Sequence, residues 1–351
     1  MAKQTLAVKY RPKSFDDVVE QQAIKDILTD QIKTGTFQHS YLFCGPAGCG
    51  KTTAARIFAN DINSGKGNPI EVDAASNNGV DNVREIIEGA RRKPLDSDYK
   101  VYIIDECHML STGAWNAMLK LLEEPPKTTV FIMCTTDPQK IPATILSRVQ
   151  RYNFSKISLD NIISRLKNIV AWEAQELEHE AGIVDSYTCT DEAIQYIAKL
   201  ADGGMRDAIT MMDKCLSLDP DLTVESVVRA LGTVDYYTHF NLLFLLETRG
   251  KDSATKIIED VYNSGKDLKQ FIKQFQYFVL DVCKYKMFND FKYISIPALP
   301  EYKQKLDDED LDLAVEVLEW VRQLNADIKW EANPKAIAQT AILLFNCQEV
   351  Q

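Results

Sequence analysis

The sequence predicts an α/β core with a parallel sheet and a phosphate-binding loop, followed by helical segments to the end of the chain. Three observations lead there. Gly45-Pro46-Ala47-Gly48-Cys49-Gly50-Lys51-Thr52 fills every required position of G-x-x-x-x-G-K-[ST]. Between about Tyr41 and Arg151, short β-branched runs alternate with amphipathic helical stretches, as strands joined by helical crossovers require. Beyond Arg151 the strand signals fade and helical periodicity takes over.

The elements follow in order. Ser40-Tyr41-Leu42-Phe43-Cys44 is an apolar run that reads as a buried strand, and Thr53 to Ala59 is helix-forming, so the glycine loop lies between strand and helix. Ile70 to Asp73, Val101 to Asp105 and Val130 to Cys134 read as further strands. Between them, Val80 to Arg91 and Gly113 to Leu122 read as helices. Glu123-Glu124-Pro125-Pro126 stops the second of these, because proline lacks the N–H and restricts the residue before it. Leu159 to Glu178 and Asp191 to Leu200 are helical. Asp202-Gly203-Gly204 breaks the chain before a helix from Arg206 to Leu216, and Thr223 to Leu231 ends at Gly232. Helical patterning continues from Thr233, interrupted around Ile294 to Pro300. Three domains are expected: an α/β nucleotide-binding domain over 1–155, a small helical lid over 156–233 and a helical domain over 234–351, with no internal repeat.

Composition narrows the function. The 351 residues carry a net charge of −11, which argues against a surface coated in positive potential but leaves room for a local basic groove. No apolar run approaches the ~20 residues that span a bilayer, so no membrane partner is expected. Met1 to Leu6 has no signal-peptide core, which points to the cytoplasm. The eight cysteines form no Cys-x-x-Cys pair and the four histidines have no ligand spacing, so no zinc is expected and the thiols read as reduced and buried.

The loop carries the chemistry. Gly45, Pro46, Ala47, Gly48, Cys49 and Gly50 present successive backbone N–H groups to phosphate oxygens, and Thr53 opens the helix beneath them. Lys51 reaches the β- and γ-phosphates of ATP, and the Thr52 hydroxyl takes a place on Mg²⁺. Four apolar residues precede Asp105-Glu106, the pattern of a strand that delivers Asp105 to Mg²⁺ and Glu106 to the attacking water as general base. Asp105-Glu106-Cys107-His108 also spells a helicase-type box, yet nothing after Arg151 resembles the second α/β domain such helicases use, and His108 reads as a structural or coupling residue. Thr135-Thr136-Asp137 follows the next strand, where a hydroxyl orients water; a plain turn signal is the alternative. Arg148 ends the α/β core and Arg206 opens a helix after a Gly-Gly break. Each suits a developing phosphoryl charge, and each equally suits a surface ion pair.

Together these residues resemble the clamp-loader ATPases of the AAA+ family, most closely the gamma/tau subunits of bacterial DNA polymerase III. The resemblance rests on Lys9-Tyr10-Arg11-Pro12, Phe15-Asp16-Asp17-Val18-Val19, the glycine loop, Asp73-Ala74-Ala75-Ser76 and Asp105 to Leu110. It continues through Leu121 to Pro126, Thr135 to Pro142, Ile145-Leu146-Ser147-Arg148 and Gly204-Met205-Arg206-Asp207-Ala208. It is dense from Leu6 to Gly232; the last third matches in length and helical character only. It implies that Tyr10, Arg11 and Pro12 line the adenine side, that Thr136 is sensor 1, and that Arg206 is sensor 2. It also implies that Arg148 is an arginine finger acting in a neighbouring subunit's site. The helical third becomes a collar that holds a pentameric spiral of copies of the chain with delta- and delta-prime-like subunits. Such machines use ATP to open a sliding clamp and leave it on primer–template DNA.

The chain departs from that pattern in three places. Asn60 to Pro69 has no cysteine where gamma/tau subunits carry a four-cysteine zinc insert, Val149 replaces the cysteine after the finger arginine, and no extension follows the collar. A short gamma-like form, bacterial or phage-encoded and then in the host cytoplasm, is expected. Asn77, Asn78, Arg84 and Lys120 are candidates for template contact, with a solvated helix face as the alternative.

Overall fold

In the computed structural model residues 4–181, 187–231, 236–329, 331 and 333–345 are described. In chain order the helices and strands of the first part are α1 (Leu6–Lys9), α2 (Gln22–Thr34), β1 (Ser40–Cys44), α3 (Lys51–Ile62), β2 (Ile70–Asp73), α4 (Val80–Ala90), β3 (Lys100–Asp105) and α5 (Thr112–Glu123). They are followed by β4 (Thr129–Thr135), α6 (Ala143–Leu146), β5 (Gln150–Asn153), α7 (Leu159–Ala181), β6 (Thr188–Cys189), α8 (Asp191–Leu200), α9 (Met205–Leu218), β7 (Asp221–Leu222) and α10 (Val224–Leu231). The remainder is α11 (Tyr236–Glu247), α12 (Lys251–Asn263), α13 (Leu268–Phe288), α14 (Pro300–Asp308), α15 (Leu311–Ile328) and α16 (Pro334–Leu344). The chain forms two compact units: residues 1–169 with 201–213, and residues 170–200 with 214–351.

The first unit is built on a five-stranded parallel sheet in the order β2-β3-β4-β1-β5. Every residue of β1 and of β4 is buried, because both strands are internal and covered on both faces. Strand alternation then sorts side chains into two layers. Tyr41, Phe43, Ile103 and Ile132 pack with Phe58 of α3 and Leu28 of α2 on one face. Leu42, Tyr102, Ile104, Phe131 and Met133 pack with Ile86 of α4 and Trp115 and Met118 of α5 on the other. Ser111 caps α5 by accepting from Ala114 N.

The four expected strands and the helices between them are present. The short helices α1 and α6, the strand β5 and the helix α2 of this unit lay beyond the sequence reading. β5 continues the sheet past the point where strand signals fade, since Gln-Arg-Tyr-Asn buries only Tyr152 and its polar residues suit an edge. α2 precedes the glycine loop and contributes Ile24 and Leu28 to the core.

The second unit is helical apart from the two-residue parallel ladder of β6 with β7, the only other sheet among the described residues. The expected break appears as a 3-10 turn at Phe291–Tyr293 and an irregular stretch leading to α14. His239 of α11 is buried in an aromatic nest, its ring centroid 5.2 Å from Phe271 and 5.4 Å from Phe278. Neither of its ring nitrogens has a hydrogen-bond partner, and burial pushes its pKa down to about 3. The expected domain boundary at 233–234 and the helix end at Gly232 lie outside the described residues, as does Cys347. Among the described residues no helix is long and apolar enough to cross a membrane.

Candidate nucleotide site

The glycine loop connects β1, at the sheet centre, to α3, and so lies at the carboxyl ends of the parallel strands, where open α/β sheets place ligands. Glycine is needed where the chain runs close to itself. A Cβ on Gly45 would stand 2.5 Å from Phe154 O. One on Gly48, at φ +70°, would stand 2.9 Å from Gly204 Cα. That second approach is also a hydrogen bond, since Met205 N donates to Gly48 O at 3.1 Å. Cys49 is buried below the loop, and burial raises its thiol pKa; Cys44, Cys107 and Cys134 are buried nearby with thiols shifted the same way. Of the described cysteines, Cys189 alone is half-buried.

Lys51 is buried and its Nζ donates to Gly45 O at 2.8 Å and Pro46 O at 2.7 Å, so the ammonium sits within the loop that would cradle phosphates. Thr52 Oγ1 donates to Asp105 Oδ2 at 2.8 Å, which brings the two predicted Mg²⁺ ligands together across α3 and β3. A hydroxyl and a carboxylate are hard oxygen donors, the type that hold Mg²⁺ beside a nucleotide's phosphates. Among the described residues no group of three or more His, Cys, Asp and Glu side chains is placed to hold a metal.

Glu106 adopts φ +45°, ψ +43°, a left-handed conformation unusual for a side chain with a Cβ, and its N–H donates to Asp105 Oδ1 at 3.0 Å. The turn directs its carboxylate at β4. There Thr136 Oγ1 donates to Glu106 Oε2 at 2.9 Å, and His108 Nδ1 lies 3.2 Å from the same oxygen and 3.1 Å from Thr135 Oγ1. Lysine, hydroxyl, metal ligands and candidate base are thus brought together from three separate segments, the start of α3 and the ends of β3 and β4.

A cavity of about 380 Å³ opens beside them. Ala47, Gly48, Cys49, Gly50, Lys51, Thr52, Thr53, Asp105, Glu106 and Arg206 line its polar end. Tyr10, Arg11 and Pro12 line it too, with Val18, Val19, Ile157 and Ile209 supplying apolar surface suited to a flat heterocycle. Arg206, one residue into α9, is exposed at the cavity edge. Arg165 of α7 also borders the cavity and donates through Nη2 to Tyr10 O at 3.0 Å. Sequence reasoning missed Arg165 and Ile157 because neither belongs to a phosphate-binding pattern, and a single arginine in a long helix gives no signal.

Arg148 does not border this cavity. Its guanidinium pairs with Glu123 and donates to Thr144 O at 2.6 Å and Ser147 Oγ at 3.1 Å. The four proposed template residues lie on or before α4 and on α5, helices that pack on each other. Asn77 Nδ2 donates to Asp73 O at 3.0 Å, Asn78 O accepts from Ser111 N at 3.1 Å, Arg84 pairs with Asp81 at 2.9 Å, and Lys120 is exposed.

Comparison with known proteins agrees with this geometry. A sequence model of the family described as DNA polymerase III, delta subunit, matches residues 70–158. The chain is 35% identical to DNA polymerase III subunit tau of Bacillus subtilis over 380 aligned positions, covering 99% of this chain and 64% of that one. It is 34% identical to the tau/gamma subunit of Haemophilus influenzae (76% of this chain, 40% of the relative) and 35% identical to the tau subunit of Escherichia coli (67% and 38%). The chain therefore spans less than two thirds of these relatives' length. Among solved structures the Holliday junction branch migration motor RuvB of Thermotoga maritima aligns with a TM-score of 0.51 at 18% identity, over 74% of this chain and 86% of that one. That likeness assigns the fold alone: an AAA+ P-loop NTPase core with a parallel sheet, followed by helical segments. On sequence, the chain is a homologue of the DNA polymerase III tau and tau/gamma subunits over the part of their length that it spans.

Proposed function

We propose that this chain is an ATP-hydrolysing motor subunit of a clamp loader, which opens a sliding clamp and loads it onto primer–template DNA during replication. The observation that carries the reading is the convergence of Thr136 and His108 on the Glu106 carboxylate beside the Thr52–Asp105 pair. A subunit that only bound nucleotide would have no use for a held general base. Lys51 and Arg206 would bind the β- and γ-phosphates, Thr52 and Asp105 would hold Mg²⁺, and Tyr10, Arg11 and Pro12 would flank adenine. When bound, Mg²⁺ supplies charge neutralisation on the phosphates. Glu106 would take a proton from the attacking water, with Thr136 fixing its orientation. Arg148 lies away from this chain's own cavity, as a residue serving a neighbour's site would. The division into core, lid and collar over 1–155, 156–233 and 234–351 belongs to the same reading. So do a pentameric assembly with delta- and delta-prime-like subunits, template contact through Asn77, Asn78, Arg84 and Lys120, and a cytoplasmic location.

Steady-state ATP turnover, measured with and without a sliding clamp and primed DNA, tests this. Turnover that rises when both are added and vanishes in Lys51→Ala is expected. Absence of turnover under every condition would make the chain a scaffold subunit. Turnover indifferent to any clamp would make it a different AAA+ motor of DNA metabolism.

A further inference from the structure

Beside Ile209 of α9, the apolar wall of the cavity is lined by chain that has no regular secondary structure. Tyr10 to Val19 runs as a strap of turns, with Ser14 and Asp17 bonded to each other and Phe15 and Val18 buried in the core below. Val18 and Val19 face the cavity from this strap, and Ile157 faces it from the segment between β5 and α7. Two of the segments that line the cavity are therefore irregular, and their separation is set by the bonds that join them.

Glu20 and Gln21 end the strap, and both adopt left-handed backbone, at φ +58° and +56°. Two consecutive non-glycine residues in that region are disfavoured by their Cβ atoms and persist only where the surroundings over-determine them. Here the side chains supply that determination. Gln21 makes a two-way bond with the backbone of Ser155, donating from Nε2 to the carbonyl at 2.8 Å and accepting on Oε1 from the N–H at 3.2 Å. Glu20 Oε1 accepts from Ser158 N at 2.8 Å and from Asn161 Nδ2 at 2.7 Å. The carboxylate thereby sits at the N-terminus of α7, where the helix dipole favours a negative charge. The bonds fall at 155 and 158, on either side of Ile157.

We propose that Glu20 and Gln21 are positioning residues for the nucleotide base, a clasp that sets the gap between the Val18–Val19 strap and Ile157. The proposal rests on the nucleotide reading above and assigns these side chains to the base end alone. Their side-chain hydrogen bonds go to Ser155, Ser158 and Asn161, and among the described residues none goes to the glycine loop or the metal ligands. Burial pushes the Glu20 pKa up, but the bonds from Ser158 and Asn161 outweigh this and leave it below the ordinary value, so the clasp is ionised at neutral pH.

The test compares calorimetric binding of ATP with that of inorganic tripolyphosphate, both with Mg²⁺, in the full chain. Glu20→Gly accepts the left-handed backbone more readily than glutamate, so folding is retained while the carboxylate is lost. It is expected to weaken ATP binding about tenfold and to leave tripolyphosphate binding unchanged. Glu20→Gln, which keeps an acceptor oxygen at the same reach, should recover most of the ATP affinity. Unchanged ATP affinity in Glu20→Gly would overturn the proposal, and so would equal weakening of both ligands, which marks a general structural role. A wild-type chain that binds neither ligand would instead remove the nucleotide reading itself, and the clasp with it.

Discussion

Thr136 Oγ1 donates to Glu106 Oε2 at 2.9 Å, so the hydroxyl that follows β4 is bonded directly to the carboxylate that follows β3. Because Glu106 is turned toward β4 by a left-handed backbone, this contact depends on the turn as much as on the side chains. Glu106→Gln should bind ATP with wild-type affinity and lose turnover by about 10²- to 10⁴-fold, the range expected when a general base is removed. Thr136→Val should lower turnover with little change in affinity, and Thr136→Ser should restore it. Loss of affinity parallel to loss of turnover in Glu106→Gln would contradict the assignment.

Gly48 sits against Gly204, and an added Cβ would come 2.9 Å from Gly204 Cα while forcing a side chain onto φ +70°. Gly48→Ala should destabilise the first unit by about 1–3 kcal/mol through combined backbone strain and overpacking. It should also weaken ATP binding, since the loop and the start of α9 must separate. Chemical denaturation and calorimetry measure the two effects separately.

Arg148 pairs with Glu123, with both side chains partly exposed. Such pairs contribute roughly 0–1 kcal/mol, so Arg148→Ala should leave stability and ATP affinity of the isolated chain almost unchanged. In an assembly where the arginine serves a neighbouring site, turnover should fall by about 10³-fold or more. Equal slowing in the isolated chain would show that Arg148 acts in its own site.

His239 predicts an acid-labile second unit. Its folded pKa of about 3 lies below the ordinary histidine value of about 6.5. The unfolded chain therefore binds the proton that the folded chain refuses as pH drops below about 6.5. Stability from this residue is intact above that pH and falls by about 1.4 kcal/mol per pH unit until the folded pKa is reached. His239→Phe, which keeps a ring in the aromatic nest, should be about 2 kcal/mol more stable than wild type at pH 5, relative to the difference at pH 8. Denaturant melts at the two pH values provide the comparison.

The parallel sheet and its phosphate loop were legible because their signals are local. A glycine spacing, a β-branched run or a proline stop can be read in a window of ten residues. The two left-handed residues before α2 were not, since neither glutamate nor glutamine advertises such a backbone and their partners lie more than 130 residues away. β5 escaped for the opposite reason: its polar residues are right for a sheet edge and wrong for the apolar pattern that marks a central strand. Arg148 was read as suited either to a developing phosphoryl charge or to a surface ion pair, while its partner Glu123 was read only as part of a helix stop. The fine geometry of the site depends on contacts between distant segments that periodicity does not encode.

Met205 N bonds to Gly48 O, and Ile157 N bonds to Gly203 O at 3.1 Å, so two main-chain links run from the glycine loop through the start of α9 to the segment beneath the base end. Replacement of a side chain cannot delete a main-chain donor; among the twenty residues only proline removes one. Side-chain replacement therefore leaves the donors of this route in place, and its sensitive points are Gly48, Gly203 and Gly204, where an added Cβ would press on neighbouring atoms.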